Sequence, residues 1–178
     1  MSTRELLALG TASQVPTRRR NHNGYFLRWD DEGFLFDPGE GTQRQMTFGD
    51  LAPRAIHRIF VTHFHGDHCL GLAGILQRLS LDRCAHPVTV HYPASGQVYF
   101  DRLQDASIYH HAATIIPAPV DIPPGALTLI AEAADYRVFA HVLDHPVPTV
   151  GYRIEERPSR TFLPERLAAH GVVGPAIK

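Results

Sequence analysis

Residues 60 to 72 read Phe-Val-Thr-His-Phe-His-Gly-Asp-His-Cys-Leu-Gly-Leu, and within them His63, His65, Asp67 and His68 share six positions. Imidazoles with a carboxylate are a donor set suited to zinc, which takes nitrogen and oxygen ligands at about 2.0–2.2 Å. Side chains two apart at a strand end project to the same side, so His63 and His65 can meet on one ion. Asp67 and His68 lie where the chain turns into a helix, and Gly66 is expected to supply a backbone angle there that a side chain would forbid. Four donors in so short a loop are too many for one tetrahedral ion. Two ions are the simpler reading, with His63 and His65 on one and Asp67 and His68 on the other. A solvated loop with Asp67 capping a helix would account for one histidine but not for the whole string.

The first ion needs a further donor. His145, in Val142-Leu143-Asp144-His145-Pro146, follows a strand-like run and is the leading candidate, and His141 competes with it. A bridging carboxylate and a further histidine would complete a two-metal centre. Glu155, Glu156, Glu165 and His170 are available, but none stands at a strand-to-loop junction like that of His63.

The elements that must hold these residues follow from apolar periodicity. Glu5–Leu9, Gly24–Trp29, Phe34–Phe36, Arg58–Thr62, Val88–Tyr92, Thr114–Ile116, Leu127–Glu132, Tyr136–Val142 and Val150–Glu155 read as strands. The second and third form a hairpin turned at Asp30-Asp31-Glu32-Gly33. Asp37-Pro38-Gly39-Glu40-Gly41 must be a tight loop, after which Thr42 is expected to cap a short helix. Leu72, Ile75, Leu76 and Leu79 recur at helical spacing within a helix expected over His68–Leu81. Residues 96–107 are read as helical, as are Pro164–His170, with proline at the start and Gly171 after the end. The sum is a mixed α/β layered domain.

The 178 residues suit one domain with a sizeable core. A formal net charge of −1 gives no global pull toward nucleic acid or membrane, so a polyanion would have to be drawn by a local patch or by bound metal. No apolar run approaches a membrane span, and no signal peptide is evident, so a cytoplasmic protein is expected. Cys69 and Cys84 read as free buried thiols in a reducing compartment. Arg18, Arg19 and Arg20 form a basic run on the loop between the first two strands, which by itself reads as a solvated stretch.

Four stretches together resemble the metallo-β-lactamase superfamily and, within it, the ribonuclease Z family of tRNA 3′-processing endonucleases. Pro16-Thr17-Arg18-Arg19-Arg20-Asn21 is similar to that family's Pro-x-Lys-x-Arg-Asn loop, with Arg18 in place of lysine. Asp37-Pro38-Gly39-Glu40-Gly41-Thr42-Gln43 is similar to its Asp-x-Gly-Glu-Gly-Thr-Gln loop, and the string from His63 to His68 matches next. His145 precedes Gly151-Tyr152-Arg153 as in the family, which favours it over His141.

The resemblance implies an αββα layered sandwich and a zinc-dependent endoribonuclease that removes the 3′ trailer from precursor tRNA. Two zinc ions are implied, the first on His63, His65 and His145, the second on Asp67 and His68. Asp67 would also serve as catalytic proton acceptor, and Asp37 would support a metal histidine or fix its loop. Arg18, Arg19, Arg20 and Asn21 would contact RNA phosphates, and the complete protein would be a homodimer. The family's bridging aspartate, last zinc histidine and general-acid histidine have no counterpart here. The chain is therefore expected to be truncated to about the first half of the fold, with a sheet face and edge exposed. Residues 1–156 would form the N-terminal part of the domain and residues 157–178 the start of a substrate-binding arm. A related hydrolase of small phosphodiesters, sulfate esters or lactones, or an inactive metal-binding remnant, would share the histidine string.

Overall fold

Alternation along the early strands decides the layering. Phe26, Leu35, Ile59 and Val90 point to one core, while Leu27, Phe34, Phe36 and Phe60, their neighbours in sequence, point to another. A sheet with two apolar faces must be covered on both. The computed structural model describes residues 2–158 and 163–171, and in it helices cover one face and a second sheet the other.

The larger sheet has six strands in chain order: β1 (Arg4–Gly10), β2 (Gly24–Trp29), β3 (Glu32–Phe36), β4 (Ile56–Phe60), β5 (Val88–Pro93) and β6 (Ile115–Val120). The first three are antiparallel, and β3 to β6 run parallel. The hairpin turns at Asp30, which takes a left-handed φ of 50°. Pro117 and Pro119 lack amide donors and sit on the edge strand β6, where proline is tolerated.

Helices α1 (Thr42–Phe48), α3 (Leu72–Leu81) and α4 (Gln97–Gln104) supply Met46, Leu72, Ile75, Leu76, Leu79 and Phe100 to the first core. Fully burying each such side chain contributes about 1.5–3 kcal/mol. Strands β7 (Leu127–Glu132), β8 (Tyr136–Leu143) and β9 (Thr149–Glu156) form an antiparallel meander on the opposite face. Its Tyr136 rests edge-on against Trp29 and Phe34 at 5.6 and 5.2 Å. Helix α5 (Pro164–Ala169) begins with proline and is followed by Gly171 at φ 68°, as the sequence predicts. The layers are thus helix, sheet, sheet among the described residues. The arm expected over 157–178 falls partly on residues 159–162 and 172–178, outside those described.

Four local expectations need correction. The strand before the histidines ends at Phe60 rather than Thr62, because Val61 N donates to His91 O and Thr62 O accepts from Val150 N, outside the regular ladder. The helix expected from His68 is two: α2 (Gly66–Cys69) and α3, broken at Leu70-Gly71. A Cβ on Gly71 would lie 2.0 Å from Gly39 O, so this break is where two loops touch. Thr42 does not cap α1 but is its first residue; its buried hydroxyl donates back to Gly39 O at 2.7 Å. Gly66 adopts no left-handed angle; its missing Cβ instead makes room for Leu70 Cδ1, 2.9 Å from where it would be.

Candidate metal centre

Ligand sites in open α/β sheets lie beyond the carboxyl ends of the parallel strands. Here the loops after β3 and β4 meet there, and the β8–β9 turn joins them. Tyr152 Oη donates to Val61 O at 2.9 Å, and with the Val150–Thr62 contact this pins the start of β9 to the loop that carries His63. His145 is thereby delivered to the same place.

Three imidazoles converge: ring nitrogens of His63, His65 and His145 all lie within 4.8 Å of one another. His63 Nε2 is 3.0 Å from His65 Nδ1, and His145 Nε2 is 3.5 Å from that same atom. Nitrogens that face each other so closely need a shared proton or a shared cation between them. His63 is buried; burial, and then the positive charge of His68, push it down to about 4, so it is neutral near pH 7 with a lone pair to give. This donor set fits a divalent ion. His141 stands apart, with Nδ1 2.7 Å from Ala126 O.

Asp67 and His68 sit beside the trio. The His63 and His68 rings are 4.1 Å apart, and His68 Nε2 is 3.5 Å from Asp67 Oδ2. Burial lowers His68, but the hydrogen bond and charge of Asp37, with the charge of Asp67, outweigh it and hold His68 above its ordinary value. The two buried carboxylates therefore favour positive charge at this spot.

Asp37 organises both groups. Its Oδ1 accepts from Thr62 N at 2.7 Å, while its Oδ2 accepts from Thr62 Oγ1 and His68 Nδ1, each at 2.9 Å. Thr62 Oγ1, having donated to Asp37, can only accept from His63 Nδ1 at 2.9 Å. In the neutral form, this network puts the proton of each histidine on Nδ1 and turns each Nε2 lone pair toward the centre, the state in which His68 as well as His63 can give a lone pair to a metal ion. Thr62 was not marked by the sequence, and nor was Asn23, whose Nδ2 donates to Asp37 Oδ2 at 3.3 Å. Thr62 lies in the histidine stretch and Asn23 two residues past the arginine loop, but what they touch depends on loops far apart in the chain.

Arg18, Arg19 and Arg20 are exposed on a loop turned by Thr17, whose Oγ1 accepts from Arg19 N and Arg20 N at 3.2 and 2.9 Å. Asn21 Nδ2 donates to Glu40 O at 2.7 Å and so ties this loop to the one after β3. Between loop and metal residues lies a cavity of about 460 Å³ lined by Gln14, His22, Glu40, His65 and Asp67. His22, given no role from sequence, is buried there with neither ring nitrogen hydrogen-bonded among the described residues. Cys69 and Cys84 are free and buried, as expected, and burial with the charges of Asp37 and Asp67 pushes the Cys69 thiol up to about 12. Glu155 pairs with Arg137 and Arg153, and Glu156 with Arg4.

The chain belongs to the metallo-beta-lactamase superfamily, whose family model matches residues 17–163. Its relatives include a protein named ribonuclease Z from Streptomyces avermitilis, 57% identical across 99% of this chain and 58% of the relative. Another of that name, from Nocardia farcinica, is 58% identical across 99% of this chain and 57% of the relative. Among solved structures, the short form of human tRNase Z superposes with a TM-score of 0.77 at 27% identity, over 85% of this chain and 64% of that one. The chain thus spans 58% or less of the length of these two curated relatives. Superfamily and histidine cluster together point to divalent-metal binding. No helix among the described residues is long and apolar enough to cross a membrane.

Proposed function

We propose that this chain carries the substrate-facing first part of a zinc-dependent endoribonuclease that removes the 3′ trailer from precursor tRNA. The observation that supports it most is the exposed arginine loop tied through Asn21 and Glu40 to the loop that orients the histidines. The identity to relatives named ribonuclease Z over nearly the whole chain points the same way. His63, His65 and His145 would hold a first zinc ion, and Asp67 with His68 would contribute to a second. Bound divalent metal would supply an acidified water and neutralise charge on the phosphate.

The protein's own groups do the rest. Asp67 receives the proton of the attacking water, and Asp37 with Thr62 keeps both Nε2 atoms facing inward. Arg18, Arg19 and Arg20 hold the RNA backbone without reading its sequence. A cytoplasmic homodimer belongs to the same reading, and sedimentation with zinc present would test the dimer.

The experiment is incubation with a precursor tRNA bearing a 3′ trailer, zinc or manganese present, across a salt series. The 178 residues alone are expected to bind one zinc well, to bind the precursor and to release little trailer, because the second position has only two donors among the described residues. Replacing all three arginines with alanine should flatten the dependence of log affinity on log salt by about 2. Turnover of a small ester with no tRNA binding would select a different superfamily hydrolase instead.

A further inference from the structure

His65 lines two cavities. The first carries the polar side chains of Gln14, His22, Glu40 and Asp67. The second, about 410 Å³, is bounded by Phe64, Pro93, Gly96, Tyr99 and Pro148, and among the described residues His65 is its only ionisable group apart from the Tyr99 hydroxyl. Its size falls within the range of roughly 300–1,000 Å³ typical of ligand pockets.

We propose that this second cavity receives one nucleobase of the RNA beside the cleaved phosphodiester, stacked on Tyr99. The proposal rests on the reading of the metal centre as an RNA-cleaving site, and it adds where the strand goes. His65 separates the two cavities, so a strand that passes the first meets the second next, and a wall of rings and prolines there suits a base, not a phosphate.

The cavity is built rather than incidental. Phe64 lies between the two clustered histidines, and a Cβ on Gly96 would come within 2.1 Å of its ring, so glycine there is what lets the ring seat. The Phe64 ring is fixed edge-on against Tyr92 at 5.9 Å, and Tyr92 in turn stacks on Phe100 at 4.6 Å, which anchors α4. Tyr99, one helical position before Phe100, tilts at 34° to Phe64 with centroids 5.6 Å apart. It is nonetheless 49% exposed, a large aromatic surface left open next to the metal residues. Arg102 reaches within 6.0 Å of the Tyr99 ring centroid and brings a positive charge to the rim, favourable to a polyanion. Every base has a π-face, and this lining offers few donors or acceptors, so the subsite should accept any base and prefer the larger purines.

The test is a precursor tRNA with 5-iodouridine at either nucleotide flanking the cleavage position, irradiated on the zinc-loaded protein and mapped by mass spectrometry. A crosslink to Tyr99 or Phe64 is expected from one of the two positions. An abasic residue at that position, or Tyr99→Ala, should weaken binding about fivefold or more, whereas Tyr99→Phe should not. Phe64→Leu, which keeps an apolar filler against Gly96, should weaken it less than Tyr99→Ala. RNA that binds normally, crosslinks elsewhere and is indifferent to the abasic change overturns the subsite and leaves the RNA reading standing. Failure of any RNA to bind overturns both.

Discussion

Replacing Asp37 with asparagine keeps shape and volume but reverses a chain of hydrogen bonds. Thr62 N is a backbone donor and cannot become an acceptor, so the amide oxygen must take the Oδ1 position, 2.7 Å away. The amide NH₂ then occupies the Oδ2 position, facing Thr62 Oγ1 and His68 Nδ1, where the carboxylate accepted two bonds at 2.9 Å. His68 must accept there, which moves its proton to Nε2. Thr62, now accepting from the amide, donates to His63 Nδ1 and moves that proton to Nε2 as well. Both inward lone pairs are lost. Rotating the amide the other way strands the Thr62 amide, at about 1–3 kcal/mol.

Losses of this kind around metal histidines cost roughly 10–100-fold in affinity, or about 1.4–2.7 kcal/mol at a tenfold change per 1.36 kcal/mol. Zinc affinity of Asp37→Asn, measured in competition with a chromophoric chelator, should fall by that factor. Thr62→Ser, which keeps the hydroxyl, should stay within about threefold of the parent, well short of that tenfold loss. Unchanged affinity in Asp37→Asn, with a melting temperature like the parent's, would refute the relay.

Two further predictions concern the scaffold. His91 is buried, stacked 5.0 Å from Phe60, and burial, then the charge of Arg58, pushes it down to about 4. Since the unfolded chain protonates near 6.5, its effect is absent above that pH and destabilises progressively down to about pH 4, by roughly 2 kcal/mol at pH 5. Urea unfolding at pH 7 and pH 5 should show the parent losing about that much more than His91→Phe, and equal losses would contradict it. Gly71→Ala drives a Cβ to within 2.0 Å of Gly39 O, whereas at Gly74 the nearest atom is the flexible end of Gln43 at 3.0 Å. Thermal melts should show Gly71→Ala lowered by about 6 °C or more and Gly74→Ala within about 2 °C of the parent.

The strands and the histidine string were readable because each is a local pattern: an apolar run at Phe34–Phe36, alternation in Val88–Tyr92, and donors spaced along one loop. The departures share a cause. Leu72 to Leu79 keep helical spacing whether or not the helix continues back to His68; what breaks it is the backbone at Gly39, more than thirty positions earlier. Thr42 looks like a cap until Gly39 O is found beneath it. Thr62 looks like a strand residue until Asp37 arrives from 25 residues away. Long-range backbone contacts leave no periodicity to read. They are marked only by the residue types that permit them, as the glycines at 39 and 71 do.

Asp37 itself shows why the centre can be precise although it stands on loops. A non-glycine residue at φ 45° pays about 1–2 kcal/mol, and aspartate is among the few side chains that tolerate it. Its backbone N donates to Phe60 O at 2.8 Å, which fixes where the carboxylate emerges relative to the end of β4. Gly71 N to Pro38 O, at 2.8 Å, and Val150 N to Thr62 O, at 3.0 Å, hold the other two segments against it. The inward geometry of His63 and His68 is therefore set by backbone hydrogen bonds and one carboxylate. A ligand that meets side chains already oriented pays less ordering entropy. On this argument affinity should respond more to Asp37 and Thr62, which aim the nitrogens, than to apolar contacts deeper in the core. The local strain at Asp37 is the cost of placing one acceptor within reach of both.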